Sequence, residues 1–155
     1  LQGRGLAYAR VDQEGSGHDA AIVQSDGGTA YAKVGQAGTD NLARVTQSGE
    51  GRNILYLAQQ GSLNVAKVDQ DAQGTAPNGA IVTQMGSGNA MELDQAGSDN
   101  RAILTQNGDN NAMTAVQNGD ANRLIWTQTG SNLSNLSIEQ SGDQALQVTQ
   151  TGIGK

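Results

Sequence analysis

Apolar and polar residues alternate along most of the chain, in short segments that each end at a recurring glutamine. Two and four residues before every such glutamine the side chain is apolar, as at Ala102 and Leu104 before Gln106, while the residues between are mixed. A period of two predicts β-strands. The glutamine shares the parity of the apolar pair, so it is expected to point inward as well. The marker glutamines are Gln13, Gln24, Gln36, Gln47, Gln59, Gln70, Gln84, Gln95, Gln106, Gln117, Gln128, Gln140 and Gln150.

Glycine and asparagine recur at fixed distances from these markers. Glycine follows two residues later in all cases except Gln24, which is followed by Asp26, and Gln70, which is followed by Ala72. A glycine about every eleven residues interrupts a helix and supplies the dihedral freedom of a tight turn, so the pattern predicts strand–turn–strand units. Asparagine stands six residues before eight consecutive markers, at Asn41, Asn53, Asn64, Asn78, Asn89, Asn100, Asn111 and Asn122.

A unit of two short strands, each with two inward apolar residues, cannot bury a core alone, whereas stacked units can. The predicted fold class is therefore all-β: a two-sheet parallel β-solenoid, amyloid-like, with thirteen strands in about six and a half coils spaced about 4.8 Å apart. Stacked inward amides satisfy one another by donating to the next coil and accepting from the previous one. We expect one solenoid over residues 7–152, after a lead-in at 1–6 that ends an earlier, truncated strand, and before a tail at 153–155.

Composition excludes several classes of function. Hydrophobic residues make up 35% of the chain, there is no cysteine, and His18 is the single histidine. These figures exclude disulfides, thiol chemistry and a histidine-rich metal site. The net charge of −6 argues against nucleic acid and anionic membranes as partners, and no apolar run approaches the length of a membrane-spanning helix. We therefore expect no catalytic residue, no cofactor, no metal and no membrane insertion.

The repeat also carries a family resemblance. Segments of the form Asn-x-apolar-x-apolar-x-Gln-x-Gly-x-x-Asn recur, and residues 35–41 and 64–70 follow the pattern closely. Over residues 7–152 the chain resembles the curlin repeat of bacterial curli fibre subunits. The resemblance implies a secreted, extracellular structural protein, not an enzyme, in a cell-surface amyloid fibre that serves biofilm matrix, adhesion and cell aggregation. Its implied partners are further copies of itself, a nucleator subunit and a dedicated secretion apparatus.

The type of subunit is left open by the sequence. The last unit, residues 145–152, is regular and is followed by one basic residue, Lys155, which favours the major fibre subunit. The minor, nucleating subunit remains the alternative, because residues 35–70 resemble it equally well.

A different class of protein, a soluble solenoid such as an ice-binding protein, is the second alternative. Thr83, Thr105, Thr127 and Thr149 are expected to form one outward column, a feature of ice-binding faces. In the first three coils, however, the same column holds Asp12, Gly35 and Ala58.

The ends of the solenoid are the expected assembly sites. Both carry the inward pattern of the middle, and a solenoid end exposes unpaired backbone N–H and C=O groups. With thirteen strands the junction needs a half-turn between subunits, unless residues before Leu1 complete a fourteenth. The residues expected at the two ends are Tyr8, Val11 and Gln13, and Leu146, Val148 and Gln150.

Three aspartates are candidates for slowing assembly. Asp12, Asp69 and Asp94 each precede a marker glutamine on the outside, and Asp69 and Asp94 are expected to stack on adjacent coils. Stacked like charges oppose association, as gatekeeper residues do.

The remaining unusual residues have structural interpretations. His18 occupies an asparagine position and is predicted to be a turn residue, and Trp126 is predicted to pack in the core. Residues 71–77 lengthen the interval between two marker glutamines and contain the only proline. They are expected to bulge from one arc, the turn that connects two consecutive strands, while the strands keep register.

Overall fold

The computed structural model describes residues 5–25 and 27–152, and in these ranges the fold prediction is confirmed. The described residues are all-β, without a helix, and their thirteen strands form two parallel sheets in a β-solenoid of about six turns. The described part thus contains no helix long and apolar enough to cross a membrane. The tail predicted at 153–155 and most of the lead-in predicted at 1–6 lie outside the described residues.

Successive strands alternate between the two sheets. Sheet A contains the seven odd-numbered strands and sheet B the six even-numbered strands. The strands of sheet A are β1 (Ala7–Ser16), β3 (Thr29–Thr39), β5 (Arg52–Ser62), β7 (Asn78–Ser87), β9 (Arg101–Asn107), β11 (Arg123–Thr129) and β13 (Ala145–Thr151). The strands of sheet B are β2 (Asp19–Gln24), β4 (Leu42–Ser48), β6 (Val65–Ala72), β8 (Ala90–Gly97), β10 (Ala112–Asn118) and β12 (Leu136–Ser141).

The parallel register places equivalent residues of the repeat on top of one another. Gln84 pairs with Gln106 in sheet A, and Gln95 pairs with Gln117 in sheet B. The first four strands of sheet A reach 10 or 11 residues and are longer than the last three, which have 7. They are longer because the parallel pairing continues through the glycine that follows the marker, as between Gly38 and Gly61.

The core lies between the two sheets and is built from the predicted apolar pairs. Leu55, Leu93 and Leu104 are fully buried, and many of the remaining positions are alanine or valine. Trp126 is also fully buried, in agreement with its predicted place in the core. Each buried methylene contributes about 0.8 kcal/mol, so a core of such small side chains leaves much of the stabilisation to backbone and amide hydrogen bonds.

The turns require close backbone contact between coils. Gly38 has φ of 109°, and a Cβ there would collide with the carbonyl oxygen of Gly61 on the next coil. The residue directly before most of these asparagines is also left-handed, including Leu63 with φ of 55°, whereas Arg52 before Asn53 and Pro77 before Asn78 are not. Side chains other than glycine, asparagine and aspartate adopt this conformation at a cost, so Leu63 is a strained position.

Residues 71–77 interrupt one arc without disturbing the strands around it. Asn53 still pairs with Asn78, and Asp71 still pairs with Ala96. The cost is local: the Oδ1 atom of Asn53 is buried and has no hydrogen-bond partner among the described residues.

Candidate assembly interface

The marker glutamines form two unbroken columns of hydrogen bonds, one in each sheet. In sheet A the side-chain amide of Gln84 donates to Oε1 of Gln106 at 2.9 Å, and Gln106 donates to Gln128 at 2.8 Å. In sheet B the chain of bonds from Gln24 to Gln140 is equally continuous, with distances of 2.7 or 2.8 Å. The interior markers are buried, so each bond satisfies groups that would otherwise cost about 1–3 kcal/mol.

Every marker glutamine from Gln24 to Gln140 also binds the opposite sheet. Nε2 of Gln106 donates to the backbone carbonyl of Ala90 at 3.1 Å, and Nε2 of Gln117 donates to that of Arg101 at 3.1 Å. The sequence alternation gives no sign of this second bond, which joins the end of one strand to the beginning of a strand in the other sheet. A carbonyl group can only accept, so this bond requires Nε2 rather than Oε1 on that side of the amide. In both columns each glutamine therefore donates to the glutamine on the next coil towards the carboxyl-terminal end.

The direction of the columns makes the two ends of the solenoid chemically different. At the amino-terminal end, Gln13 and Gln24 donate to their neighbours, and their Oε1 atoms accept no hydrogen bond from any described residue. At the other end, Oε1 of Gln150 already accepts from Gln128 and from the Trp126 indole. The amino-terminal end therefore offers amide oxygens, whereas at the other end the amide nitrogens of Gln140 and Gln150 point away from the column and donate to backbone carbonyls of their own chain.

The asparagines bind differently from the glutamines. The Nδ2 atom of Asn64 donates to Oδ1 of Asn41, towards the amino-terminal end, at 3.1 Å. Oδ1 of Asn41 also accepts the backbone N–H of Asn64 at 3.0 Å, and Nδ2 of Asn64 donates to the carbonyl of Gly86 at 2.8 Å. The ladder of like amides predicted for both residue types thus describes the glutamines, whereas the shorter asparagine side chain mainly binds the backbone of the neighbouring arcs.

His18 takes the part of an asparagine in the first coil. Its Nδ1 accepts the backbone N–H of Asn41 at 3.3 Å, and its Nε2 lies 3.0 Å from the carbonyl oxygen of Glu14. The ring is therefore the tautomer with hydrogen on Nε2. This geometry agrees with the turn role predicted for His18.

The residues predicted for the assembly ends lie in the outermost strands and are exposed. Val11 of β1 is 41% exposed, although it is equivalent to Val34, which is 0% exposed. Leu146 of β13 is 43% exposed, although it is equivalent to Leu124, which is 1% exposed. Three further end residues are also less buried than the equivalent residues of the interior strands, namely Gln13, Val148 and Gln150. Inward apolar and amide groups are thus open at both ends of the described solenoid.

Tyr8 differs from the other residues predicted for the ends. Its side chain points outward from sheet A and stacks on Tyr31, with ring centroids 5.0 Å apart and an interplanar angle of 7°. It therefore belongs to the outer face of the first coils rather than to the inward surface of the end.

The three candidate gatekeepers have different surroundings. Asp12 forms an ion pair with Arg10 at 2.9 Å, and Asp69 forms one with Lys67 at 3.2 Å. Asp94 pairs with Asp69 in the strand register, and its pKa is raised by partial burial and by the negative charge of Asp69. Lys67 lies between Asp69 and Glu92, and these carboxylates raise its pKa to about 12. Whether these aspartates slow assembly stays a prediction.

Residues 5–25 and 27–152 hold no group of three histidine, cysteine, aspartate or glutamate residues arranged to bind a metal ion. The cavities on the outer face of sheet A are shallow grooves. The one between Gly35, Ala58 and Thr83 has a volume of about 390 Å³ and is lined at one end by Asp12 and Glu14.

Comparison with known proteins supports the family resemblance over part of the chain. The family model of the curlin associated repeat matches residues 78–108. This segment contains β7, β8 and β9, with three of the marker glutamines and the asparagines before them. No curated protein and no solved structure matches the chain. The match supports a curlin-type chain, and curlins are structural fibre subunits, which suggests a curli-type amyloid subunit.

Proposed function

We propose that this chain is the major structural subunit of an extracellular curli-type amyloid fibre, in which copies stack head to tail through the ends of the solenoid. The observation that carries the proposal is the pair of glutamine columns, which run without a break through every coil and begin at Gln13 and Gln24, whose amide oxygens accept no hydrogen bond from a described residue. The fibre is proposed to serve biofilm matrix, adhesion and cell aggregation. A nucleator subunit and a secretion apparatus are its proposed partners, by family resemblance.

The edges of the sheets supply the attractive force. In the described residues β1 and β2 form one end of the solenoid, and β12 and β13 form the other. Each of these four strands therefore has one edge whose backbone groups lack a hydrogen-bonded neighbouring strand. Unpaired strand edges are templates for another chain. Burial of inward residues such as Val11 and Leu146 in the junction adds apolar contact at about 25 cal/mol per Å².

The polarity of the glutamine columns supports head-to-tail over head-to-head contact. A head-to-tail junction sets the Oε1 atoms of Gln13 and Gln24 against the amide groups of Gln140 and Gln150. Gln150 donates one of its two N–H groups within the chain, to Ser134, whereas Gln140 donates both and must exchange one of these bonds to continue its column. A head-to-head junction sets amide oxygens against amide oxygens and interrupts both columns. A heterologous contact of this kind does not close on itself, so it produces a filament rather than a ring.

The number of strands determines the geometry of the junction. Sheet A has seven strands and sheet B six. A junction made from these thirteen strands continues both sheets when β1 of the incoming subunit is placed on β12, which requires a half-turn between neighbours. Each subunit then advances the filament by about 31 Å, at about 4.8 Å for each coil.

A pair of matched substitutions tests this junction. Val11→Lys places a charge on the inward surface of the amino-terminal end, where a second copy is proposed to dock. Val23→Lys makes the same change in the neighbouring strand β2, at an outward residue that is 56% exposed. We expect the Val11 variant to remain a folded monomer and the Val23 variant to form filaments, by thioflavin fluorescence and electron microscopy. Equal assembly of both variants, or a folded unmodified chain that never assembles, contradicts the proposal and favours a soluble solenoid.

A further inference from the structure

The outer faces of the two sheets carry opposite net charges. The strands of sheet A contain five basic and two acidic residues, a net charge of +3, and those of sheet B contain two basic and six acidic residues, a net charge of −4. All fifteen side chains are at outward positions, and none is buried. On sheet A they are Arg10, Asp12, Glu14, Lys33, Arg52, Arg101 and Arg123, and on sheet B Asp19, Arg44, Lys67, Asp69, Asp71, Glu92, Asp94 and Glu139.

The basic column with no internal partner lies on sheet A. Arg101 and Arg123 are exposed neighbours on adjacent strands. Among the described residues, neither guanidinium group forms an ion pair. Like charges directly opposite one another in a sheet are destabilising, so this column gains from a negative partner outside the molecule.

A column of acidic residues lies at the corresponding place on sheet B. Asp69 and Asp94 are neighbours across β6 and β8, and Glu139 occupies the same column on β12. Asp94 is exposed and forms no ion pair among the described residues. Its raised pKa reflects partial burial and the adjacent charge of Asp69, which a positive partner would offset.

The basic and acidic columns lie at the same edge of the solenoid, on opposite faces. Gln117 and Gln140 of sheet B donate to the backbone carbonyls of Arg101 and Arg123 at 3.1 and 3.0 Å. Glu139 is the residue directly before Gln140 in the sequence. Asp94 is likewise directly before Gln95, which pairs with Gln117, so the acidic column lies beside the glutamine column of sheet B. A shift of one molecule perpendicular to its sheets therefore brings the arginine column of one copy towards the acidic column of the next.

We propose that solenoids of this chain associate laterally, with the outer face of sheet A of one copy against the outer face of sheet B of a second copy. The alternatives, A against A and B against B, place +3 on +3 or −4 on −4. The inference rests on the filament proposed above. It holds with or without a half-turn between subunits, because a lateral shift always brings opposite faces together.

The apolar residues of the faces fit the same contact. Tyr56, Ile81 and Ile125 are 44–47% exposed on sheet A, and Val65 is 40% exposed on sheet B. The middle of the sheet A face thus offers apolar side chains, whereas the middle column of the sheet B face is charged, for example at Lys67, and its apolar residue lies at the start of a strand. Electrostatic complementarity at such an interface sets orientation and partner choice more than affinity.

The test counts laterally paired filaments by electron microscopy as salt and charge are varied. For the unmodified chain we expect bundles at about 10 mM salt that separate at about 1 M, where the Debye length falls from about 30 to about 3 Å. Arg101→Glu with Arg123→Glu, and separately Asp69→Lys with Asp94→Lys, are each expected to abolish bundling at low salt. The variant with all four substitutions is expected to recover part of it, because the two columns have exchanged sign while the net charge of −6 is unchanged, although the face charges fall to −1 on sheet A and 0 on sheet B.

Several outcomes overturn the inference. Bundles that persist at high salt, or that form equally in the two double variants, contradict it. If the fourfold variant forms filaments that stay single, the face-to-face pairing is wrong. If the fourfold variant loses its β circular dichroism signal, the salt series of the unmodified chain decides.

Absence of any filament contradicts the proposed function instead. In that case the lateral contact is tested by sedimentation of the soluble chain at low salt. We then expect the unmodified chain and the fourfold variant to sediment as associated species at low salt, and the two double variants to sediment as monomers. Sedimentation of the unmodified chain that does not depend on salt refutes the lateral contact.

Discussion

The backbone N–H of Asn64 donates to the side-chain oxygen of Asn41 on the neighbouring coil at 3.0 Å, but Asn78 makes no such bond to Asn53. The difference lies in the residue before each asparagine. Leu63 is left-handed, with φ of 55°, which matches the conformation found in the other regular arcs. Pro77 cannot adopt this conformation, because its ring fixes φ near −65°. The irregular arc therefore leaves one buried oxygen unsatisfied.

A regular arc should restore the missing bond. We predict that replacing residues 71–77 by the four residues of 96–99 raises the free energy of unfolding by about 1–3 kcal/mol, the cost of a buried unsatisfied group. Denaturant unfolding, in the Val11→Lys background to avoid assembly, measures the change. Replacing 118–121 by the same four residues is the control and should have little effect. An equal or lower stability after the first replacement contradicts the prediction.

The glutamine columns should matter more than the outward columns. Gln106→Ala leaves Nε2 of Gln84, Oε1 of Gln128 and the carbonyl of Ala90 without their partner. With about 1–3 kcal/mol for each buried group left unsatisfied, we predict a loss of several kcal/mol and slower assembly, with a similar direction for Asn100→Ala. Thr105→Ala, an outward change next to it, should alter stability by about 0.5 kcal/mol or less. Equal effects of the inward and outward substitutions are the contrary result.

The acidic pair on sheet B should make assembly depend on pH. Burial and the charge of Asp69 raise the pKa of Asp94 above its ordinary value of 3.8. The folded state therefore binds this proton more tightly than the unfolded chain, and its stability relative to the unfolded chain increases as the pH falls towards the raised pKa. We predict faster elongation of filaments as the pH falls towards this raised pKa than at neutral pH, measured by thioflavin fluorescence.

Replacement of the two aspartates tests the same prediction at neutral pH. Asp69→Asn with Asp94→Asn should speed elongation and remove most of the acid enhancement. Asp12→Asn is the comparison, because Asp12 has Gly35 rather than a second acidic residue opposite it in the strand register. Unchanged elongation of the double variant at low salt disagrees with a gatekeeping role.

His18 offers a test of the asparagine position. The ring accepts the N–H of Asn41 at 3.3 Å but has no amide group to donate to a neighbouring arc. We predict that His18→Asn raises stability by up to about 1 kcal/mol, the net value of a typical hydrogen bond, whereas His18→Ala lowers it. Thermal unfolding of the Val11→Lys background with each change measures this, and a loss of stability in both variants argues against it.

The sequence predicted the fold because the repeat fixes both parity and register. A column such as Gln84, Gln106 and Gln128 is visible as a regular spacing, and equal spacing in a parallel solenoid means direct stacking. The same parity predicted that Asn100 faces inward, where it is buried.

The contacts that spacing does not encode were beyond prediction. The bond from Gln106 to the carbonyl of Ala90 crosses between sheets, and its existence depends on how far apart the sheets lie. The hydrogen bonds of the asparagines depend on whether this short side chain reaches the backbone of the neighbouring turns, and the sequence does not give the curvature of those turns. The outward position of Tyr8 follows from its parity, and including it among the inward end residues overlooked that parity.

The most direct test of the account is an electron cryomicroscopy reconstruction of the assembled chain. We predict parallel strands about 4.8 Å apart along the fibre axis, continuous across subunit boundaries, with both glutamine columns unbroken and β1 of one subunit on β12 of the next. Folded β-structure that stays monomeric for days at high concentration, or a fibre whose strands do not stack in register across the junction, would contradict it.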